Sequence, residues 1–513
     1  MGSFQITYDD FSGGQYMGSK STNLPKNTWH GTNTIPTPDG QLIASGNAIA
    51  ANWVVTGSVD SGKILDHWVI SGDSYVFINT IKTGTNTSRF LRFQSVNNGS
   101  TFPITPVTAT LTGILDGNVA YYPATFLFYY ISTVGNIYSV TGTGTVTLIS
   151  SALAGLGLRN ITSYGYRLLA WGNGNVTEKK RLYYSDTTLA TWSTANYYEF
   201  SGTILQVLPR TNDLLVICDT GVFSLVGVLG ASITNQLIVP QENVTEGMKD
   251  ATVVGRNVYF LDQLANGSMD GRLYRMVGSS VQPVETLSLS DVLAQTGVEQ
   301  ARVMSINDGR LVIMMRTGIC YAETTKGQWT RLTATAATLL STASKQQQIG
   351  RAGPGSLNEF FMVASFDTTD KSIVLNRYIH NEIYPAPTLG DITISGGGSG
   401  TLPTATVTLP EYWHSKPFSV KEVFIEYSPT TNFGVSTVVE AQIVSTGNVD
   451  VLSQDISLIP STVAPNIDQL SASYGTYVME RFRPNNAAKG FGAKTIITFS
   501  AATIKRVILN CED

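Results

Sequence analysis

Short apolar runs, each opened by a polar or glycine-containing turn, recur along the first three-quarters of the chain. They begin at Ser74 (SYVFINT), Thr125 (TFLFYYIS), Arg167 (RLLAWG), Asp213 (DLLVIC), Asn257 (NVYFLD), Arg310 (RLVIMM) and Glu359 (EFFMVAS), spaced 42 to 53 residues apart. Most are followed by a turn and a second run: Asn136 to Val140, Arg181 to Ser185, Val222 to Val226, Arg272 to Met276, Ile319 to Glu323 and Ser372 to Arg377. Short apolar stretches bounded by turn signals read as buried strands, and paired runs across Asn-Asp or Thr-Gly read as hairpins. A repeat of this length with about four strands per unit is the mark of a β-propeller blade. The spacing predicts six or seven blades, with Leu214, Val216, Val258, Phe260, Leu311 and Ile313 buried between them. An irregular pair of β-sandwiches with evenly spaced loops is the alternative.

Asn212-Asp213, Gly255 and Gly309 fall where hairpins reverse, so glycine there is expected to supply positive φ. Helical periodicity is almost absent; Ser290 to Gln295 (SDVLAQ) is the one helix candidate. Beyond the repeats, seven further strands are predicted in TATVTL, FSVKEVFIEYS, STVVEAQIVS, VDVLSQDISLI, YVMERFRP, AKTIITFSA and TIKRVILN. Seven strands without a helix describe a β-sandwich or jelly-roll module. The expected organisation is therefore all-β: an extended N-terminal arm over 1–40, a propeller over 41–384, a Pro/Gly-rich linker over 385–400 and a β-sandwich domain over 401–513. The arm holds Tyr8, Phe11, Tyr16 and Trp29 without a period that could pack them together. It is expected to become ordered across the C-terminal sandwich or a neighbouring subunit.

Composition sharpens this picture. The 513 residues include 48 Gly, 23 Tyr and 20 Phe, a vocabulary of strands and turns, and only 14 % are charged. Such a low share points to a surface covered by partners. The formal charge of −4 and the scattered basic residues exclude a tight, sequence-specific DNA reader. No apolar run is long enough for a spanning helix, and the N-terminus lacks the pattern of a secretory signal. Cys218, Cys320 and Cys511 form no CxxC pair; they read as buried small hydrophobes in a protein folded in a reducing cytoplasm, without disulfides.

Catalytic, cofactor-binding and metal-binding residues are all expected to be absent. His30, His67, His380 and His414 lie far apart, with no ligand spacing. The chain has no GxSxG elbow, P-loop or dinucleotide fingerprint, and GGGSG is followed by no helix. Asp9-Asp10, and Asp367 near Asp370, leave a glycosidase pair open in principle. Arg159, Arg210, Arg256 and Arg351 would be the set an enzyme needs to converge on an anionic substrate. Ser185 to Trp192 (SDTTLATW) resembles a degraded Asp-box turn of sialidase propellers, in which an Asp-bearing turn is closed by an aromatic. There the turn supports the blade, not the chemistry.

The run RLYYSDTTLATWSTANYYEF followed by ILQVLPRTNDLLVICDTGVFSLVG resembles the central signature of tail nozzle or hub (tail tubular) proteins of short-tailed bacteriophages. The opening FSGGQY…LPKNTWHGTNTIPTPDGQLIASG and the closing ERFRPNNAAKGFGAKTIITFSAATIKRVILN are similar to the corresponding ends of those proteins. The glycine-free turn at Thr187 to Thr191 departs from the pattern. The resemblance implies a virion structural protein that is not an enzyme: a tail subunit, made in the host cytoplasm. It implies a homo-hexameric channel for ejected double-stranded DNA, joined to an upstream tail adaptor and to tail fibres or spikes. Two other classes remain: a glycan-cleaving tail enzyme, sialidase-like or a polysaccharide depolymerase, and an adhesin binding carbohydrate or receptor through the C-terminal sandwich.

Overall fold

The computed structural model describes residues 2–15, 28–32, 34–36, 40–44, 47–55, 59–71, 73–94, 105–172, 174–228, 230, 232–245, 248, 251–263, 269–288, 301–305, 311–315, 319–323, 329–333, 340–343, 345–348, 360–367, 371–379, 405–429, 438–446, 454–460, 478–484, 489–500 and 502–513. Seven separate antiparallel sheets follow one another along the chain, each built on four strands, and they form a β-propeller. Blade one holds Ser61–Ile70, Asp73–Lys82, Thr85–Phe93 and Val107–Thr110. Blade two holds Ala120–Tyr122, Leu127–Ile131, Ile137–Thr141 and Val146–Ser150. Blade three holds Leu158–Tyr164, Arg167–Gly172, Arg181–Tyr184 and Tyr197–Glu199. Blade four holds Ile204–Pro209, Leu214–Cys218, Gly221–Val228 and Ser232–Pro240. Blade five runs from Thr252–Val254 to Ser280–Ser288, and blade six from Ala301–Ser305 to Trp329–Thr333.

The seven phased apolar runs of the sequence are the second strands of the seven blades, and the runs that follow six of them are the third strands. A second strand lies inside its sheet with blades on both faces, so it reads as a continuous apolar run; Leu214 to Cys218 is buried at every position. Leu214, Val216, Val258, Phe260, Leu311 and Ile313 are all buried. One core fills each gap between neighbouring sheets where side chains are described. Trp68, Tyr75, Phe77 and Phe90 of blade one meet Tyr121, Phe128 and Tyr130 of blade two. Ile131 and Ile137 meet Leu158 and Ile161 across the next gap, Trp171 meets Val216 across the third, and Ile217 meets Phe260 across the fourth.

The ring closes between blades seven and one. Blade seven takes Leu340–Ala343, Phe360–Asp367 and Ser372–Ile379 from the end of the repeat region, and its fourth strand, Asn47–Val54, from before blade one. A second seam lies at the inner edge, where Lys345–Gln348 continues from blade seven and pairs in parallel with Ser61–Ile70 of blade one. Val69, Val76 and Leu91 pack against Phe366, Ile373 and Leu375 across this joint. Two unlike pairings and one core thus prevent the ring from opening like a spring.

The remaining strands form a twelve-stranded sheet. Its framework is Ala405–Thr408, Tyr412–Pro429, Val438–Thr446, Gln454–Pro460, Val478–Pro484, Gly490–Ser500 and Ala502–Glu512, which correspond to the seven strands expected after the linker. The 18-residue Tyr412–Pro429 turns a corner: Tyr412 to Phe418 pairs with Gly490–Ser500, and Ser419 to Pro429 pairs with Ala502–Glu512. A strand that changes partners this way folds the sheet over its own core.

The N-terminal residues are woven into that sheet. Ser3–Tyr8 lies antiparallel to Ala502–Glu512, Thr28–Thr32 pairs with Ala405–Thr408, and Leu42–Ala44 pairs with Thr503 and Ile504. Tyr8, Phe11 and Trp29 are buried in the C-terminal core with Val407, Phe418 and Leu509. Of the two surfaces open to the arm's aromatics, the chain's own C-terminal domain takes these three; Tyr16 lies outside the described residues. Leu42–Ala44 also belongs to this domain, so the propeller begins at Asn47–Val54 rather than at residue 41. The helix expected at Ser290 to Gln295, the turn glycine Gly309 and the linker 385–400 lie outside the described residues. Gly255 does take positive φ, at 61°, between the first two strands of blade five.

Candidate functional site

The turn from Ser185 to Trp192 leaves blade three and returns to it. Asp186 organises it: its carboxylate accepts from the Thr188 hydroxyl at 2.7 Å and from the Thr191 N–H at 3.1 Å, while its own N–H donates to the Thr191 carbonyl at 2.9 Å. Burial alone would raise the Asp186 pKa, but these hydrogen bonds hold it below the usual carboxylate range. Leu189 adopts φ 67°, the left-handed conformation usually left to glycine. Its side chain and that of Trp192 are buried with Leu153, Ile161 and Tyr183 in the core between blades two and three. Anchoring by Leu189 and Trp192 makes the glycine-free turn possible. The loop is a brace, and its carboxylate is committed to it.

Asp213, at the Asn-Asp reversal of blade four, is a buried, paired acid. Arg210 donates to it through Nε at 2.7 Å and through Nη2, and the Ser224 hydroxyl donates at 2.5 Å. Burial opposes ionisation, yet Arg210 and Ser224 hold its pKa below normal. Arg210 Nη1 also reaches the Arg256 carbonyl at 2.8 Å, tying blade four to blade five. Arg210 and Arg256 follow the ends of their blades' first strands, whereas Arg159 lies at the start of its own. Those strands run alike through the ring, so Arg159 sits at the opposite propeller face, bound to the Thr133 carbonyl and Asp116. Arg351 lies outside the described residues. The described arginines do not converge.

Three polar groups in the blades gave no sequence signal: two draw their members from different strands, and in the third Glu178 of a short 3-10 turn meets Arg181 and Tyr183 of the strand that follows. His67 Nε2 meets Ser74 Oγ at 2.5 Å, and Asp66 accepts from the His67 N–H at 3.0 Å and the Val119 N–H at 2.9 Å. The residue types are those of a hydrolase triad, but Asp66, His67 and Ser74 are buried inside the blade, out of a substrate's reach. Glu178 accepts from Tyr183 and, at 3.2 Å, from Arg181, whose guanidinium lies 4.2 Å from the Tyr197 ring centre. Burial, with the bond to Glu178, pushes the Tyr183 pKa up to about 12. Asp73 binds Arg92 at 2.6 Å, and Arg92 lies over Tyr75. The Glu178–Arg181 and Asp73–Arg92 pairs lie within their blades, Glu178 leading directly into blade three's third strand, whereas Asp66 reaches from blade one to Val119 at the start of blade two.

The remaining candidates disperse. Asp10 caps the Ser12 N–H at 2.8 Å beside Gly40, where a Cβ would fall 2.5 Å from its Oδ1. Asp367 ends a strand of blade seven, and Asp370 lies outside the described residues. His414 stacks on Phe4 with ring centres 4.9 Å apart, while His380 and the side chain of His30 are outside the described residues. Among the described residues no group of three or more His, Cys, Asp or Glu is arranged to hold a metal. Cys218 is buried between blades three and four and Cys511 in the C-terminal core, both as free thiols; the side chain of Cys320 is not described. No described helix is long and apolar enough to cross a membrane.

No protein-family model and no curated protein matches the chain. Among solved structures it is similar to virginiamycin B lyase from Staphylococcus aureus, at 9 % identity over 66 % of this chain and 100 % of that one, with a TM-score of 0.39. It is similar to BamB from Moraxella catarrhalis at 13 % identity over 66 % of this chain and 100 % of that one, with a TM-score of 0.38. The WD40 propeller domain of Doa1 is 11 % identical over 65 % of this chain and 97 % of that one, with a TM-score of 0.40. At such values no property of these proteins transfers, and the propeller assignment rests on the chain's own seven sheets.

Proposed function

We propose that this chain is a structural subunit of a short bacteriophage tail, a nozzle or hub protein that assembles with copies of itself around a channel for double-stranded DNA. The observation that carries this reading is where the family-like segments lie. The opening and closing segments pair with one another through Leu42–Ala44 on Ala502–Glu512, and Thr28–Thr32 of the opening segment joins the same sheet through Ala405–Thr408, in one domain beside a rigid propeller. The central signature supplies the brace at Asp186 and the tie at Asp213. All three segments therefore serve to build a stiff, two-part block, as a load-carrying subunit requires.

In this reading the subunit is not an enzyme. Six copies repeat one heterologous interface and close a ring. The lumen guides DNA without sequence-specific contact, because dense phosphate binding would slow ejection. The adaptor above and fibres or spikes outside occupy further surface, and the protein resides in the virion tail. Negative-stain electron microscopy of the purified full chain, with light scattering, tests this: six-fold rings with an open centre are expected. Particles without a ring at any concentration would overturn the reading. Release of oligosaccharide from host capsule would replace it with that of a tail enzyme.

A further inference from the structure

From Phe93 to Leu158 the chain has a single charged residue, Asp116, although 14 % of all its residues are charged. Asp116 lies within 3.7 Å of Arg159 at one propeller face, away from the rim. The outer strands of blades one and two therefore carry no charged residue; one strand further in, Arg92 is paired with Asp73 and Arg89 lies opposite Thr110. Its outer strands, Val107–Thr110 and Val146–Ser150, expose Thr108, Thr110 and Thr147, with Val107 40 % and Leu148 53 % exposed. The two strands belong to one surface: Gly144, just before the second, lies so near Ala109 that a Cβ would sit 2.9 Å from the alanine's. Asn47–Val54, the outer strand of the neighbouring blade seven, is uncharged too, and its last residue, Val54, is exposed.

A second such edge stands on blade four. Thr220 to Gln241 holds no charged residue, and its outer strand Ser232–Pro240 is mostly exposed, with Leu237 at 51 % and the adjacent Val226 at 49 %. Long, uncharged, exposed edge strands invite pairing, and proteins ordinarily guard them with charge or proline. The outer strands of the other three blades each include a charged residue in sequence: Glu199 in blade three, Glu285 (with Pro283) in blade five and Arg331 in blade six.

We infer that these two edges are the two halves of one repeated contact between copies of this chain, the rim of blades one and two on one copy meeting the blade-four edge of the next. A charged partner would lose hydration against either outer strand and find no counter-ion on the strand itself. Each edge matches the other: threonine and branched aliphatic side chains on both, and an outer side that pairs with no strand among the described residues. The edges of blades two and four stand about 100° apart around the propeller axis, seven blades being about 51° apart. Copies joined at such an angle turn a corner at every joint, as a closed ring requires. The choice of a closed ring rests on the conduit reading above; the choice of a second copy rests on the match between the edges.

The test uses the full chain and two substitutions at exposed positions, Leu148→Asp and Leu237→Asp, with circular dichroism and melting temperature as checks on folding. Sedimentation velocity should show each variant associating at least tenfold more weakly than the parent. Mixing the two variants should yield dimers only, because each retains one intact edge and the intact edges are unlike. The double variant Leu148→Lys with Leu237→Asp should recover rings. Variants that still form rings like the parent would overturn this inference and leave the ring reading standing. A parent whose association stops at open dimers, abolished by either variant, would keep the contact and overturn the ring. A parent that stays monomeric at all concentrations would overturn both.

Discussion

Replacing Asp213 by alanine should weaken the propeller by about 2–3 kcal/mol at neutral pH, less than the roughly 3–5 kcal/mol expected when a fully buried pair is broken. The smaller figure follows from partial solvent access: the Arg210 and Asp213 side chains are 17 % and 12 % exposed. The substitution removes the two bonds from Arg210 and the one from Ser224, and leaves the guanidinium with the Arg256 carbonyl 2.8 Å away. Hydrogen bonds to charged groups are worth about 1.5–3 kcal/mol each when intact, but water recovers part of that once the partner is gone. Urea unfolding of the propeller transition should be measured for the parent, Asp213→Ala, Arg210→Met and the double variant. The coupling from this cycle should exceed about 1 kcal/mol. The pH dependence has a definite sign. The Asp213 pKa is lowered in the folded state, so its contribution is complete above the unfolded value of about 3.9 and is lost as pH falls through the folded value. The gap between parent and Asp213→Ala should therefore be widest near neutral pH and narrow below about pH 4. A coupling below about 0.5 kcal/mol, or a gap independent of pH, would refute the assignment of Asp213 as the partner that holds Arg210 in place at the reversal.

Gly255→Val should cost roughly 1–2 kcal/mol by thermal melting, because the site has φ 61° and open space around a new Cβ, while Gly255→Asn should cost much less. Burial raises the Cys218 thiol far above its ordinary pKa and pushes that of Cys511 up to about 12. Peptide mapping after brief alkylation at pH 8 should find both unmodified in the native protein and both modified in urea; labelling of either native thiol would contradict its burial. Deleting residues 2–8 removes Ile6 and Tyr8 from the C-terminal core, at about 1.5–3 kcal/mol each, and bares the edge of Ala502–Glu512. Limited proteolysis should then degrade the C-terminal domain and spare the propeller; a protected C-terminal domain would show that the strand is dispensable.

The second strand of every blade was legible because a strand buried on both faces is apolar at consecutive positions, as in DLLVIC and NVYFLD. The outer strands were harder to read: VTAT of blade one and YYE of blade three are short and partly exposed, so they show neither an apolar run nor strict alternation. No local pattern could show that Asn47–Val54 belongs with Ser372–Ile379, more than three hundred residues away, or that Ser3–Tyr8 borders Ala502–Glu512. Strand pairing between distant segments is decided by which edges remain free once the sheets have formed. The polar ties followed the same division. Asp186 and Trp192 lie within one turn and were visible as a motif, whereas Arg210 with Arg256, and Asp66 with Val119, meet only after the blades stack. Sequence alone determined the local periods, hence the strands, the turns and the repeat. Only the tertiary structure decided seven blades, the closure of the ring and the union of the two chain ends, because these depend on long-range contacts that no short window of residues contains.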